Sequence, residues 1–318
     1  MTFMSEIAHN IFAKESLELK DLGLYRVEFK AMASACEIVI ASTSQDEAMR
    51  SIGTAISEVH RVEQKYTRYQ SSSVVSKINA AAGLEWVECD DETLSLFNYA
   101  DTLFQSSDGL FDITSGVLRR AWNFQKPVIP SKAQLTLLKN LVGWNQVDRK
   151  DKLVKLSKIN MEIDFGGFGK EYAADRAAAI LSSHEIKHGF VNLGGDLRVI
   201  GPKPNGQPWM LGIPNPRDTN KLIASIPVAT GGFATSGDYE KFFEINNRRY
   251  CHIISPLTGE PISFWQSVSV VAPLSITAGS CTTIAMLKED EGLAWLEDLD
   301  MTYMAIDHIG NIYRKTKD

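Results

Sequence analysis

Apolar side chains recur at helical spacing in three segments of the first half of the chain. Residues 45–67 place them three and four positions apart, at Ala48, Met49, Ile52, Ala55, Ile56, Val59, Val62 and Tyr66. This spacing predicts an amphipathic helix. Two further helices are predicted at about 91–105 and about 131–141, the second with Ser131 as its N-cap.

Strand patterns dominate the second half. Residues 153–164 (LVKLSKINMEID) alternate in the manner of a β-hairpin. From Lys187 onward the predicted strands lie in HGFVNLGGDLRVIG, PWMLGIP, LIASIPVAT, GGFATSG, RYCHIISP and SVSVVAP. A helix at about 276–287 and strands at 301–307 and 310–314 complete the chain. Without repeats or a linker, this order predicts an α+β fold with antiparallel strands.

A glycine-rich loop, DFGGFGKEYAADRAAAI at residues 164–180, runs into an alanine-rich helix predicted to extend to about Ser183. Such a turn directs backbone N–H groups and the positive end of the helix dipole at an anion. It is not a Walker loop, because Asp164 stands where that motif needs glycine and Glu171 where it needs Ser or Thr. The dinucleotide pattern G-x-G-x-x-G is also absent. The loop therefore indicates an anion site of another kind.

Composition indicates an ordinary globular protein. The chain of 318 residues is 44% apolar and 23% charged, which is enough to form one large core or two entangled lobes. Its net charge of −6 argues against nucleic acid or an anionic membrane as the main partner. The first twenty residues lack the features of a signal peptide, and no apolar run approaches the roughly 18 residues of a membrane span. We therefore expect a cytoplasmic protein without membrane insertion.

The four cysteines (Cys36, Cys89, Cys251 and Cys281) are scattered and form no C-x-x-C pair. Such spacing favours reduced, buried thiols over a disulfide framework or a zinc site.

Several turns rich in glycine and hydroxyl groups also have a purely structural interpretation. NLGGDLRVIG is compatible with a bulged hairpin, TSGDYEKFF with an ordinary turn, and SDGLFDITSGVL with a loop before a helix N-cap. The serines of YQSSSVVSKIN are typical of caps and turns. A single histidine in an apolar strand, such as His252, is more often a core residue than a catalyst.

The order of these motifs is more specific than any one of them. In sequence come Met32–Ser34, TRYQSSSVVSKIN (67–79), GLFDITSGVL (109–118), DFGGFGKEYAADRA (164–177), VNLGGDLRVIG (191–201), ATSGDYEKFF (234–243), YCHIISPLTGEP (250–261) and SVSVVAPLSITAGSCTTIAML (267–287). This series resembles the ApbE family, the FAD:protein FMN transferases. The family blocks are M-G-T, S-x-Y-x-x-x-S-E-x-x-x-x-N, G-x-F-D-x-T, D-x-G-G-x-x-K-G, N-x-G-G-D, T-S-G-x-Y, H-I-x-x-P-x-T-G-x-P and A-D-A-x-x-T. The resemblance covers about residues 30–315.

The resemblance implies a fold and an activity. The fold would be an ApbE-like, T-fold-like single unit of two lobes, an antiparallel sheet with flanking helices, in which residues 1–29 are an N-terminal extension and 30–318 the flavin transferase domain. Such enzymes bind FAD, transfer its FMN half to a Ser or Thr of a target flavoprotein and release AMP. The expected partners are therefore FAD and a flavin-acceptor protein.

The resemblance also assigns residues to the site. By this comparison FAD would be bound by Met32, Tyr69, Leu110, Phe111, Asp112, Asp164, Lys170 and Ile253. Asp164 would hydrogen-bond the cofactor. Backbone carbonyls around Gly167 and the hydroxyl of Thr283 would face Mg²⁺. His252 would be the general base for the incoming hydroxyl, a role that the near-neutral pKa of an ordinary histidine suits.

This chain departs from the family pattern at several positions. Gly279 stands where A-D-A-x-x-T has the metal-binding carboxylate. Because Mg²⁺ prefers hard anionic oxygens, weak binding is expected here. Val74 replaces the glutamate of the second block, Glu171 replaces the glycine after Lys170, and Met32-Ala33-Ser34 replaces M-G-T.

The missing carboxylate leaves three functions open: an FMN transferase, a flavin-binding protein that has lost transfer, and a pyrophosphatase that splits FAD into FMN and AMP. An aspartate at position 279 would share the helix face of Thr283. We expect Gly279→Asp to be tolerated by the helix and to raise metal affinity, because Asp costs no helix propensity relative to Gly.

Overall fold

The computed structural model describes residues 23–316. Its α-helices are α1 (Gln45–Tyr66), α2 (Val74–Ala80), α3 (Asp91–Ser106), α4 (Lys132–Lys139), α5 (Gly169–Ser183), α6 (Ser275–Leu287) and α7 (Gly292–Asp298). The first strands are β1 (Leu24–Ala31), β2 (Ser34–Ala41), β3 (Val87–Glu88), β4 (Val147–Lys150), β5 (Leu153–Leu156), β6 (Gly189–Leu193), β7 (Asp196–Gly201) and β8 (Trp209–Asn215). They are followed by β9 (Asp218–Val228), β10 (Gly231–Gly237), β11 (Phe242–Ile245), β12 (Arg248–Cys251), β13 (Trp265–Ala272), β14 (Thr302–Asp307) and β15 (Ile312–Lys315).

One large antiparallel sheet organises the protein. Its eight strands lie in the order β1-β2-β6-β7-β10-β13-β14-β15. Between residues 23 and 316, three small sheets accompany it, of order β3-β5-β4, β8-β9 and β11-β12. This arrangement confirms the predicted α+β class with antiparallel strands and flanking helices.

Helices cover one face of the large sheet. The apolar stripe of α1 is buried, with Ile52, Ala55 and Val59 at most 1% exposed, and α1 contacts α5. Helix α5 contacts β6 and β7, and α6 contacts β10 and β13. On another side, the β8–β9 hairpin brings Trp209 against Phe190 of β6. The core therefore forms where apolar faces of helices and strands meet, and it fixes α5 and α6 side by side.

The helices predicted from periodicity are confirmed to within one or two residues. Ser131 is the N-cap of α4, where its hydroxyl accepts a 3.2 Å hydrogen bond from the backbone N–H of Gln134. The predicted hairpin at 153–164 is wrong. Its first residues form β5, but the partner is β4, which precedes it, and residues 157–164 form no strand. Asp151, at φ 53°, provides the left-handed turn between the two strands.

Residues 1–22 of the predicted N-terminal extension lie outside the described residues. From Leu24 the chain forms β1, which pairs with β2 from Leu24 opposite Ala41 to Ala31 opposite Ser34, so the predicted boundary at residue 30 falls inside this strand. None of the described helices has the length and apolar character needed to cross a membrane. The four cysteines all lie in the described part, and each is buried and unpaired, as their spacing predicts.

Candidate functional site

The glycine-rich loop before α5 is held tightly against the segment around residue 111. The backbone N–H of Asp164 donates to the carbonyl of Ile113 at 2.8 Å, and the Asp164 carboxylate accepts from the Gly166 N–H at 3.1 Å. A Cβ placed on Gly167 would lie 2.8 Å from Cζ of Phe111, too close for any side chain to fit without a shift. The close approach of the Phe111 ring therefore explains why position 167 is glycine.

Arginines surround the Asp164 carboxylate. Its Oδ2 lies 2.6 Å from Nη1 of Arg119 and 3.8 Å from Nη1 of Arg68. Burial raises the pKa of Asp164, and the nearby Arg68 opposes that rise. Arg68 also donates to the Tyr69 hydroxyl and lies over the Tyr69 ring, 4.6 Å from its centroid. The ring of Tyr69, which is 81% exposed, is thus connected to Asp164 at an open surface.

The Leu110–Phe111–Asp112 turn is stabilised from inside the protein. Phe111 stacks on Phe168, with ring centroids 6.2 Å apart, and Leu110 packs against the core beside α6. The buried Asp112 carboxylate accepts from the N–H and hydroxyl of Thr114, at 2.7 and 2.6 Å, and from the Trp144 N–H at 2.9 Å. Asp112 therefore holds this turn in place, and a direct contact with FAD stays a prediction.

Lys170, in the first turn of α5, pairs with the first residue of β7. Its Nζ lies 2.5 Å from Oδ2 of Asp196, which is 5% exposed. Burial lowers the pKa of Lys170, but Asp196 and Glu171 more than offset it, so the pKa is raised and the ammonium stays charged. A fixed cation therefore stands at the start of the helix.

Two tight turns lie beside Lys170. Met32 and Ala33, at φ 52° and 58°, form the left-handed turn between β1 and β2. A Cβ placed on Gly194, in the β6–β7 turn, would lie 2.7 Å from the Ser34 side chain and 4.0 Å from Nζ of Lys170. The Met32 N–H donates to Glu63 of α1 at 2.7 Å. Three motifs that are distant in sequence thus meet at one place.

His252, the predicted base, directly follows β12 and is half-buried. Its pKa is lowered to about 4 by burial first, and then by the ammonium groups of Lys241 and Lys170. The expectation of an ordinary near-neutral pKa is therefore wrong, since neither the burial nor the lysines can be seen in the local sequence. Nδ1 is buried without a hydrogen-bond partner among residues 23–316. The imidazole is therefore neutral at pH 7.

Ile253, the next residue, is 9% exposed and its side chain lies in the core beside α6. Its carbonyl accepts a 3.0 Å bond from the Ile262 N–H. These contacts fix the backbone next to His252, and a contact of Ile253 with FAD stays a prediction.

Thr283, the predicted metal ligand, lies on α6 facing β10. Its hydroxyl is 3.4 Å from that of Ser236, which also bonds Thr282 at 2.8 Å. The N-terminus of α6 is capped from α5, where Asp175 accepts from the N–H groups of Ser275 and Ile276 at 3.0 and 2.9 Å. Carboxylate and hydroxyl groups therefore fix α6 against its two neighbours.

Gly279 contacts Glu171 directly. A Cβ placed on Gly279 would lie 2.3, 2.6 and 2.7 Å from Oε1, Cγ and Cδ of Glu171. The expectation that α6 accommodates an aspartate at 279 is therefore wrong, because Glu171 fills the space. Burial, and then the Asp196 carboxylate, raise the pKa of Glu171 to about 8, while Lys170 opposes this.

The structure thus places several of the expected residues around the start of α5, whereas the contacts of Leu110, Asp112 and Ile253 are with the protein interior. Tyr69, Phe111, Asp164 and Gly167 lie on one side of the loop, whereas Met32, Lys170 and the α6 face that carries Thr283 lie at the first turn of the helix. Contributing residues to which the sequence assigned no site role are Arg68, Arg119, Glu171, Asp196 and Ser236. All except Arg119 lie within one of the motifs, so position in a motif was the available signal.

The donor set fits a divalent cation only in part. Within residues 23–316 no cluster of three or more His, Cys, Asp and Glu side chains could hold a metal ion. A cation here would depend on one carboxylate, neutral oxygens and phosphate oxygens of a ligand. Such a set is compatible with Mg²⁺, which keeps several waters and often binds with substrate phosphates.

Comparison with known proteins gives a consistent result. The ApbE family profile matches residues 32–306. An FAD:protein FMN transferase of Klebsiella pneumoniae is 28% identical over 286 residues, 87% of this chain and 88% of the relative. Another, from Haemophilus influenzae, is 30% identical over 245 residues, covering 73% and 71%.

Solved structures share the fold. The crystal structure of the ApbE protein of Thermotoga maritima matches with a TM-score of 0.85 and 31% identity, covering 92% of this chain and 97% of that one. The apo flavinyl transferase ApbE of Pseudomonas stutzeri matches with a TM-score of 0.82 at 24% identity, covering 92% and 95%. At that identity the second match supports the fold alone.

Proposed function

This chain belongs to the ApbE family, and we propose that it acts as an FAD:protein FMN transferase. In the proposed reaction the hydroxyl oxygen of a Ser or Thr on an acceptor protein attacks the FMN phosphorus of FAD. The bond from that phosphorus to the bridging oxygen breaks, AMP leaves with that oxygen, and the hydroxyl proton passes to a base. The product is a phosphoester between FMN and the acceptor.

The observation that carries this proposal is the N-terminus of α5, which has no side-chain cap among the residues that the structure describes and has three cations held beside it by carboxylates. Arg68 and Arg119 lie at Asp164, and Lys170 lies in the first helical turn. The N-terminus of α5 adds the positive end of its dipole. A dinucleotide pyrophosphate carries two negative charges, and charge moves onto its oxygens during transfer, so fixed cations stabilise both states.

Side chains beside the loop would hold the rest of FAD. Tyr69 presents an exposed ring to which a flavin or adenine ring can stack. Asp164 would accept a hydrogen bond from the cofactor, with Arg119 fixing its orientation. Phe111 would act through Gly167, because its ring sets the position of the loop backbone.

His252 would take the proton of the acceptor hydroxyl. Its ring is neutral and Nδ1 lacks a partner in the described part of the chain, so it can accept a proton. A pKa of about 4 makes it a weak base before FAD binds. Bound phosphates would offset the charges of Lys170 and Lys241 and raise this pKa toward the catalytic range.

A divalent cation, when bound, would neutralise charge that develops on the phosphoryl oxygens. The hydroxyl of Thr283 and the backbone carbonyl of Gly167 are the proposed protein ligands from the family pattern. We also propose a cytoplasmic location, which four buried, unpaired cysteines support.

Incubation with FAD, Mg²⁺ and the unmodified form of a flavoprotein subunit whose mature form carries phosphoester-linked FMN tests the proposal. A transferase yields the FMN-modified subunit by mass spectrometry and an equal amount of AMP. A pyrophosphatase releases AMP and free FMN without the acceptor, and a binding protein retains intact FAD without AMP. Failure to bind FAD at all would refute all three functions.

A further inference from the structure

A carboxylate oxygen is buried without a partner between α5 and α6. Glu171 is 6% exposed, and its Oε2 makes no hydrogen bond within the described residues. Leaving a buried polar atom without a partner is costly, and nearly all such atoms in native proteins are hydrogen-bonded or bound to a ligand. The unpartnered Oε2 therefore points to a ligand that is not among the described residues.

The charges around Glu171 do not supply that partner. Those that act on it most strongly are the Asp196 and Asp175 carboxylates and the Lys170 ammonium. Lys170 is already paired with Asp196 at 2.5 Å, and Arg198 lies 3.3 Å from Asp175. Both cations are thus already paired with other carboxylates.

The absent side chain at Gly279 makes room for this carboxylate. Oε1 and Cδ of Glu171 lie 2.3 and 2.7 Å from the Cβ position of residue 279. Residues 279 and 283 are one helical turn apart on α6, with Cβ positions about 5–6 Å apart. The Glu171 carboxylate therefore occupies the place, one turn before Thr283, that an acidic side chain on α6 would occupy.

We propose that Glu171 supplies the carboxylate of a divalent-cation site between α5 and α6, with the Thr283 hydroxyl as a second protein oxygen. The site takes Mg²⁺ or Mn²⁺, completed by water and by phosphate oxygens of a bound ligand. The chain departs from the family pattern with glutamate at 171 and glycine at 279. Together these two departures place the carboxylate on α5 and not on α6, the helix that faces it. The role of phosphate oxygens in this site rests on the proposed FAD chemistry, whereas the role of Glu171 rests on its contact with Gly279 of α6.

Mn²⁺ binding tests the site directly, because the electron paramagnetic resonance signal of free Mn²⁺ is lost on binding. Wild-type protein, Glu171→Gln and Glu185→Gln are titrated with and without FAD, and flavin fluorescence reports FAD binding in each sample. Glu185 is exposed just after α5 and provides the same change of charge away from the site. We expect Glu171→Gln to weaken Mn²⁺ binding about tenfold or more and Glu185→Gln to change it less than about twofold.

A double variant, Glu171→Gly with Gly279→Asp, returns the carboxylate to α6. It should restore Mn²⁺ affinity to within about threefold of wild type. Equal Mn²⁺ affinity of wild type and Glu171→Gln, or no Mn²⁺ binding by wild type while FAD is bound, overturns the inference and leaves the proposed function standing. If wild type binds no FAD, the proposed function fails and the FAD-free titration of the same variants decides the inference.

Discussion

The contact between Gly279 and Glu171 makes a specific prediction about stability. A methyl group at position 279 would lie 2.3 Å from Oε1 and 2.6 Å from Cγ of Glu171. Ordinary contacts between such atoms are about 3.5 Å or more, so the buried glutamate must move by roughly 1 Å. Gly279→Ala should therefore strain the interface between α5 and α6.

Two opposing terms set the magnitude. Overpacking of a filled site costs about 1–3 kcal/mol. Replacing glycine by alanine inside a helix stabilises it by about 1 kcal/mol. The net expectation for Gly279→Ala is a loss of about 1 kcal/mol in the free energy of unfolding. In a Glu171→Ala background the strain is absent, so the same change should stabilise by about 1 kcal/mol.

Urea unfolding of the four proteins in this cycle measures the coupling, which should be about 2 kcal/mol. Gly53→Ala is the matched control, because Gly53 lies in α1 and a Cβ there meets no atom within 4 Å. It should stabilise by about 1 kcal/mol whichever residue occupies position 171. Additive effects of Gly279→Ala and Glu171→Ala, within about 0.5 kcal/mol, would refute the contact.

Three further variants test the site. Because the folded pKa of His252 is about 4, below its unfolded value of about 6.5, its contribution to stability is complete above pH 6.5 and is lost as pH falls toward 4. Between pH 7 and pH 4 the free energy of unfolding should fall by on the order of 2–3 kcal/mol less in His252→Ala than in wild type, as urea unfolding at the two pH values measures. An equal fall in both proteins would contradict this prediction. The same variant should lower FMN transfer by about 10²–10⁴ while FAD affinity stays within a few-fold, and an unchanged rate would exclude His252 as the base. Asp164→Ala should weaken FAD binding by about 1.5–3 kcal/mol in calorimetry. Asp112→Ala should mainly lower the free energy of unfolding, because it leaves three donors unpaired. If Asp112→Ala mainly weakened FAD binding and Asp164→Ala mainly lowered stability, the roles assigned to the two aspartates would have to be exchanged.

Local patterns predicted five of the seven α-helices found within residues 23–316, because helical periodicity and caps are properties of consecutive residues, but they missed the seven-residue helices α2 and α7. Ser131 and the apolar stripe of α1 are examples. Strand pairing is not local, which is why the alternation of residues 153–164 indicated a strand but not its partner β4. The β1–β2 hairpin was not predicted, although its Met32–Ala33 turn was recognised as a motif.

The sequence named candidate site residues, but it did not predict the surroundings of their side chains. The motifs located Asp164, Lys170 and His252, since each lies in a recognisable block. The pKa of His252 depends on burial and on lysines from two other segments, which no local pattern contains. The same is true of Asp112, whose hydrogen bond from Trp144 comes from a distant turn.

The contact between α5 and α6 limits which residues can occupy positions 171 and 279 together. With Glu171 present, an aspartate at 279 would need space that is already filled and would bring two carboxylates into contact. With glycine at both positions, the space would be left as a cavity between buried helices, which also destabilises a core. One acidic side chain, on either helix but not on both, satisfies volume and charge. Glycine at 279 is therefore coupled to glutamate at 171, and the absence of the α6 carboxylate does not by itself indicate a lost cation site.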